Sequence, residues 1–397
     1  MPTIALLVSS GWGVRSFLQT EVLPRLLVRA RVLVLASPLL VEPLRRQLGN
    51  AIAVEPLLPF DPRQGAQGRV YERRNAYFER LSATGTRRFR EREHRKTLRW
   101  RWRDRLRLQR LKMEASLFAS PAAMARLAER ERSLFFCEYP HVDVYEQLFA
   151  RLGVALVVST VPHEPAEAPP VLVARRRGIP VAAWINSWDN LTSKPAYYSE
   201  YDRYLVWSER MREEVLRYYP EAGGCPVVAT GVPHFDWYRR PEMRWSREEL
   251  FARLELDPAR PLILHAAATP HLAPAEHQIA RRLAGEVEAG RLPNRPQLLI
   301  RLHPGDAGGR FLDLPRSKSV RLHVPGAPGS GRLAAYCPTP EDNRELVSSV
   351  AHADVVVNLA STITLEAALL DRPVVNLAYD PRPGEDLQRL ARRFYHL

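Results

Sequence analysis

Apolar runs of four to seven residues alternate with longer helical stretches along most of the chain. Runs at 3–9, 31–36, 133–137, 154–159, 180–185, 202–207 and 227–230 predict one set of strands. Runs at 262–266, 297–302, 320–324, 355–359 and 374–377 predict a second set. Continuous apolar character is what strands buried on both faces require. Helical periodicity covers 15–29, much of 69–132, and 209–219, while the polar, proline-flanked stretch 237–260 reads as a connector plus a helix. Such alternation predicts an α/β fold of two Rossmann-like, doubly wound parallel sheets. The expected domains are 1–240 and 241–397, facing a cleft, with ligands at the carboxyl ends of the strands.

The segment HADVVVNLASTITLEAALLDRPVVNLAYD, 352–380, condenses this pattern. It reads strand, tight loop, helix, strand, and the helix stops at Asp371-Arg372-Pro373 because proline cannot continue it. A helix that opens directly after a strand points free N–H groups at whatever lies above the sheet, which suits a phosphate. Ser361, Thr362 and Thr364 add hydroxyls there. Glu366 lies five residues past Ser361. A capping-box acid would lie three past the cap, so Glu366 is available for another task. The plainer reading of Ser361 is an N-cap, and of Glu366 a solvated helix residue.

The first loop, Gly11-Trp12-Gly13-Val14-Arg15-Ser16, looks like a dinucleotide fingerprint. Its third glycine is replaced by Ser16, and the second strand ends in Ala36-Ser37 with no acid for a ribose, so a nicotinamide cofactor is not expected. Gly11 and Gly13 remain candidates for close approach of backbone and ligand.

The 397 residues suffice for two or three domains. Cys137, Cys225 and Cys337 are scattered, which excludes a disulfide framework or a paired-cysteine metal site and fits a reducing compartment. The opening MPTIALLVSS has no basic run, so no signal peptide is expected. The longest apolar candidate, 23–44, is cut by Arg25, Arg29 and Arg31, too polar for the ~18 apolar residues of a membrane span.

Net charge is +14, and residues 87–112 alone hold 13 Lys or Arg against 3 acids. Within them Leu98, Trp102 and Leu106 recur at four-residue spacing, near Trp100, Leu108 and Leu111. A cationic amphipathic helix of this kind suits an anionic membrane surface or a polyanionic acceptor; the plainer reading is a solvated helix face. No nucleic-acid motif accompanies the charge, so nucleic acid is not expected as a partner.

Several motifs fall at predicted strand ends: TGVPHFD at 230–236, HAAATP at 265–270 and RLHPGD at 301–306, besides the Ser361-Thr362 loop. Together they offer Arg301 and His303 for phosphates, Thr269, Ser361 and Thr362 as hydroxyl donors, Glu366 for ribose hydroxyls, and His234. Their order resembles the GT-B superfamily of nucleotide-sugar transferases. Within it the resemblance is to CDP-glycerol glycerophosphotransferase-like and surface-polysaccharide glycosyltransferases, which carry a TGxP segment, a strand ending in His-Pro, and a strand followed by paired Ser/Thr and a helix. The segment WINSWDNLTSK, 184–194, is similar to one in uncharacterised members of that group. The polyol-phosphate enzymes usually show Asp-Tyr-Ser-Ser, where this chain has Asn358-Leu359-Ala360-Ser361-Thr362, and often Asp in the next helix, where it has Glu366. That tilts the reading toward glycosyl transfer. The UDP-N-acetylglucosamine 2-epimerases share the fold, but their His-Arg-x-Glu-Asn run is absent.

The resemblance implies a glycosyltransferase that moves a sugar from a nucleotide-sugar donor on the C-terminal domain to a cell-surface glycan or lipid-linked acceptor. Such enzymes work without a bound metal or cofactor. The N-terminal domain would bind the acceptor and supply a general base, with Asp189, His163 and Glu164 as candidates. The plainer reading makes Asp189 a turn residue and places His163 and Glu164 in a proline-rich loop. The expected location is cytoplasmic, peripheral at the inner face of the plasma membrane through 87–112. Polyol-phosphate transfer from a CDP donor, sugar-nucleotide epimerisation and a non-catalytic membrane-associated protein stand as alternatives.

Overall fold

A computed structural model describes residues 1–88, 102–270, 272–315, 317–326, 335–359, 361–379 and 381. These residues form two compact units: Met1–Gly13 with Glu21–Gly231, and Val14–Thr20 with Val232–Leu397. The division thus falls at 231/232 rather than at 240/241, because Trp237 and Tyr238 bury into the core of the second unit. A second difference is Val14–Thr20, which leaves the first unit after β1 and belongs to the second.

In the first unit the described strands are β1 (Thr3–Val8), β2 (Arg31–Ala36), β3 (Ala53–Pro56), β4 (Val154–Ser159), β5 (Val181–Trp184), β6 (Arg203–Val206) and β7 (Val227–Ala229). They form one sheet in the order β3-β2-β1-β4-β5-β6-β7, and each pair is parallel. The helices used below are α1 (Val22–Leu27), α2 (Pro38–Leu48), α3 (Gly65–Leu81), α4 (Trp102–Phe118), α5 (Pro121–Glu138), α6 (Val142–Leu152), α7 (Ala168–Arg176), α8 (Asn190–Ser193) and α9 (Glu209–Tyr218).

Two predicted elements differ. The apolar run 133–137 is the last part of α5, not a strand. Ser120 caps this helix by accepting from Ala123 N, and Pro121 opens it, so helical phase is set upstream. Ala123, Met124, Glu131 and Phe135 then repeat on one buried face. The helix expected over 15–29 is divided into a π-helical turn, Val14–Leu18, and the short α1.

In the second unit β8 (Leu262–Ala266), β9 (Gln297–Arg301), β10 (Val320–His323), β11 (Val355–Asn358) and β12 (Val374–Asn376) make a parallel sheet in the order β10-β9-β8-β11-β12. Its helices are α10 (Arg247–Leu254), α11 (Glu276–Glu288), α12 (Pro340–His352) and α13 (Ile363–Ala368). One face packs Leu264, Leu299 and Val356 against Trp245, Phe251 and Val350; the other packs Ile263, Leu298 and Ile300 against Ala280 and Ala284. Both faces of the central strands are covered, which is why β8, β9 and β11 are rich in apolar residues while the edge strands β10 and β12 are only partly buried.

Of the basic tract 87–112, residues 89–101 lie outside the described residues. Arg87 is buried and donates to the carbonyls of Leu191 and Lys194, so it is no part of a solvated face. Among the described residues no helix is long and apolar enough to cross a membrane.

Candidate functional site

Sheet order fixes where a ligand can sit. In the second unit the chain runs from β8 outward to β9 and β10, then returns through α12 to β11 on the other side of β8. The loops after β8 and β11 therefore diverge at a switch point, where parallel sheets bind ligands. Thr269 lies on the first of these loops, and Ser361 and Thr362 on the second.

Both loops are braced from below. Asn358, fully buried at the end of β11, accepts from Ser361 N at 3.0 Å and donates to Thr364 Oγ1 at 3.1 Å. Thr364 Oγ1 also bonds Asn376 Oδ1 at 3.3 Å, so that hydroxyl belongs to the framework. Ser361 Oγ accepts from Ile363 N at 3.4 Å, and Thr362, at the cap position of α13, makes no side-chain cap bond. Because α13 has only six residues, the dipole expected of a longer helix is small.

The β8 loop is held by Glu276 and Arg310, neither singled out from sequence. Glu276, buried at the start of α11, accepts from Ala268 N at 2.8 Å and lies 3.4 Å from His265 Nε2. Arg310 donates to Ala268 O at 2.9 Å, to Ala273 O, and to Asp306 Oδ2 at 2.7 Å. Asp306 in turn accepts from Gly308 N at 2.9 Å. This network ties the loop after β9 to the loop after β8. The acidic first turn of α11 was a visible signal for Glu276; Arg310, in a Gly/Pro-rich stretch, offered none.

Two expected ligand contacts are committed elsewhere. Arg301 is buried and donates through Nη1 to Glu345 Oε1 and His323 Nδ1, each at 2.8 Å. Burial pushes the Glu345 carboxyl up, but the His323 hydrogen bond and the Arg301 charge outweigh it and hold it below its ordinary range. Glu366 is buried, so it is neither a cap nor a solvated helix residue. Its Oε1 accepts from Arg15 Nη2 at 3.0 Å and its Oε2 from the Tyr238 hydroxyl at 2.5 Å. Burial alone would lower the Arg15 guanidinium; the Glu366 carboxylate together with Tyr238 and Tyr336 more than offsets this and leaves it raised. Neither side chain stands open to a phosphate or a ribose while these pairs hold.

His303 stays at the end of β9. Burial pushes its imidazole down to about 4, against the nearby carboxylates of Asp306 and Glu276. Its Nδ1 accepts from Gly305 N at 3.0 Å, which assigns the proton of the neutral ring to Nε2. The imidazole is thus neutral, an N–H donor rather than a charge. His234 is buried with Nδ1 at 3.1 Å from Ser16 Oγ, and burial, followed by the Arg15 charge, drives its imidazole well below the ordinary value. It is buried inside the second unit. Nearby, the Gln19 amide donates to Pro338 O and accepts from Asn343 Nδ2, both at 2.6 Å. Arg15, Ser16 and Gln19 thus anchor Val14–Thr20, which explains a serine where a dinucleotide loop has its third glycine.

The first unit has its own switch point, between β1 and β4. Gly11 and Gly13 follow β1, and a Cβ on Gly13 would run into Thr160 Oγ1, which donates to Leu7 O at 2.7 Å. The close approach at Gly13 is therefore made by Thr160. Fully buried Glu167 spans the two strand ends: Oε1 accepts from Ser9 N at 3.1 Å and Ser9 Oγ at 2.6 Å, Oε2 from Ser159 Oγ at 2.6 Å and Val161 N at 3.0 Å. Burial lifts this carboxyl to about 7 despite the four donors. Sequence reasoning chose His163 and Glu164 from the same loop and passed over Glu167.

His163 and Glu164 lie on the loop after β4, with Nε2 and Oε1 3.9 Å apart. Asp189 follows β5 and is buried. Its Oδ1 accepts from Ser187 Oγ at 2.7 Å and its Oδ2 from Ser193 Oγ at 2.9 Å, so it staples the turn into α8. The structure thus gathers His163, Glu164, Gly11 and Gly13 at one switch point and Thr269, His303, Ser361 and Thr362 around another. It sets Asp189, Arg301, His234 and Glu366 in buried bonding networks. Among the described residues no group of His, Cys, Asp and Glu is placed to hold a metal ion.

No family model matches the chain, and no curated protein matches it. Solved structures do. The UDP-GlcNAc 2-epimerase of Neisseria meningitidis bound to UDP-GlcNAc matches with a TM-score of 0.50 at 12% identity, over 98% of this chain and 85% of that one. The UDP-GlcNAc 2-epimerase of Methanocaldococcus jannaschii gives 0.51 at 11%, over 99% and 91%. The S. aureus MnaA-UDP co-structure gives 0.51 at 9%, over 95% and 79%. At these identities the likeness is one of fold. The two Rossmann-like units are those of a GT-B-type fold.

Proposed function

We propose that the protein is a nucleotide-sugar enzyme that holds a nucleoside diphosphate-sugar at the β8/β11 switch point and transfers the sugar to a hydroxyl acceptor. One observation carries this reading: the loops bearing Thr269 and Ser361-Thr362 flank that switch point, and each is fixed by side chains beneath it, buried Glu276 and half-buried Arg310 on one side and buried Asn358 on the other. Preorganised hydroxyls and the neutral His303 N–H would meet the negative charge that grows on the departing diphosphate. Arg301 and Glu366 serve this site from behind, as buried pairs that fix β9 and α13.

The acceptor's proton needs a base within ~3 Å of the attacking oxygen. His163 and Glu164, on the loop after β4, are the candidates for that role, beside Asp189, whose two carboxylate oxygens accept hydroxyls. The acceptor class is a cell-surface glycan or its lipid-linked precursor, which follows from the sequence resemblance alone.

Epimerisation at C2 of the bound sugar is the second reading. It is favoured by the fold likeness to 2-epimerases, one of them bound to UDP-GlcNAc, and opposed by the absence of their His-Arg-x-Glu-Asn run. The two readings share the nucleotide site and part on the acceptor. Incubating the protein with UDP-, CDP-, GDP- and dTDP-linked donors, with and without a pool of glycan acceptors, separates them by mass spectrometry and NMR. Diphosphate release that requires acceptor supports transfer. A new sugar nucleotide of unchanged mass, formed without acceptor, supports epimerisation. CMP release from CDP-glycerol supports polyol-phosphate transfer, and no turnover or binding at all leaves a non-catalytic protein.

A further inference from the structure

Helix α4 turns an apolar stripe away from the protein. Trp102, Leu106, Met113 and Leu117 are 66%, 46%, 62% and 69% exposed. At 100° per residue their spacing confines them to an arc of about 60°. The opposite side packs inward through Leu108, Leu111 and Ala115, so the stripe is not fraying core. Exposed Arg105 and Lys112 border it on one side, exposed Arg103 and Arg110 on the other. Four large apolar side chains aligned on a solvent face are too many for chance exposure, and their cationic border names the partner.

Beside the stripe lies a groove of about 550 Å³ between α3 and α4, lined by Arg69, Arg73, Arg103, Arg107 and Arg110 and by Trp102, Leu106 and Leu111, so that two residues of the stripe also face it. Its two acids, Glu72 and Glu114, are paired with Arg107 and with Arg73 (2.9 Å). Five arginines against two acids leave the groove positive, and Arg103 lies over the Trp102 ring at 5.4 Å.

We infer that α4 is a membrane-docking helix: the stripe of Trp102, Leu106, Met113 and Leu117 enters the interface of an anionic phospholipid bilayer while the α3–α4 arginines take headgroup phosphates. The chemistry is that of an interfacial amphipathic helix, apolar face down and cationic flanks in the headgroups. A polyanion in solution would use the arginines but has no need of the stripe. A protein partner would use the stripe but has less need of a positive border on both sides. The inference is independent of the proposed activity.

Co-sedimentation of the full chain with vesicles tests it. Binding to phosphatidylcholine vesicles containing phosphatidylglycerol should be at least about tenfold tighter than to pure phosphatidylcholine, and weakened by high salt. Changing the stripe to serine (W102S, L106S, M113S, L117S) should cost at least about tenfold, with an unchanged thermal midpoint because all four side chains are exposed. The variant R103Q/R110Q should lose binding to anionic vesicles without changing the weak binding to neutral ones. Three results overturn the inference: equal partition onto neutral and anionic vesicles, full binding by the serine variant, or a wild-type dimer that the serine variant converts to monomer.

Discussion

Arg15 and Glu366, 351 residues apart in sequence, form a buried ion pair at 3.0 Å inside the second unit. The Tyr238 hydroxyl completes it on the other carboxylate oxygen, and the Arg15 guanidinium lies 5.5 Å from the Trp237 ring. A seven-residue excursion just after β1 is thereby a structural part of the second unit. Removing one partner leaves an uncompensated buried charge, which costs about 3–5 kcal/mol. Glu366→Gln and Arg15→Met should each lower the unfolding midpoint strongly. The double variant should cost less than the two singles together, since neither charge is then stranded. Strict additivity in urea melts would show that the pair is not coupled.

At Gly13 the expected outcome is steric. An added methyl meets Thr160 Oγ1 and lies 3.3 Å from Val8 Cγ1, and Thr160 is held by its bond to Leu7 O. Gly13→Ala should destabilise by about 1–3 kcal/mol, as overpacking of a dry site does. Thr160→Ala should recover part of that loss in the double variant. A Gly13→Ala protein as stable as wild type would mean that the β1 loop has room the packing denies.

Much of this framework was legible, and what was not has a common cause. Strands β8 and β4 announced themselves because most of their residues are buried and all but His265 and Ser159 are apolar. Residues 133–137 look the same in isolation, and only the helical phase set by Ser120 and Pro121 distinguishes them. β3 went unseen because its AVEP sequence is short, charged and ends in proline. The switch-point loops were found from hydroxyls and imidazoles beside strand ends. Which of their polar residues face a ligand was not, because Arg301, Glu366 and Asp189 take their roles from partners that only the fold brings near. Glu167 was missed for the same reason, as three of its four donors come from two strand ends.

Glu167 also sets a pH dependence. Its carboxyl rises from 4.5 to about 7 through burial. The folded protein therefore keeps a proton that the unfolded chain releases in that window. The stability this proton confers is fully present below about 4.5 and is lost as pH rises through about 7, a change of at most about 3 kcal/mol. Glu167→Gln abolishes the titration and sets an amide N–H against a bound donor. Wild type should be the more stable of the two, by a margin that shrinks steadily from pH 5 to pH 8. Parallel stability profiles across that range would mean the carboxyl titrates as an ordinary one.

Isothermal titration of the full-length protein with UDP, CDP, GDP, dTDP and ADP, repeated on Ser361→Ala/Thr362→Val, tests the nucleotide site most directly. The account predicts saturable binding of at least one nucleoside diphosphate at one site, weakened about tenfold or more in the variant, since each hydroxyl hydrogen bond to a charged group is worth about 1.5–3 kcal/mol. Binding of no diphosphate, or binding that the variant leaves untouched, would contradict a nucleotide site between β8 and β11.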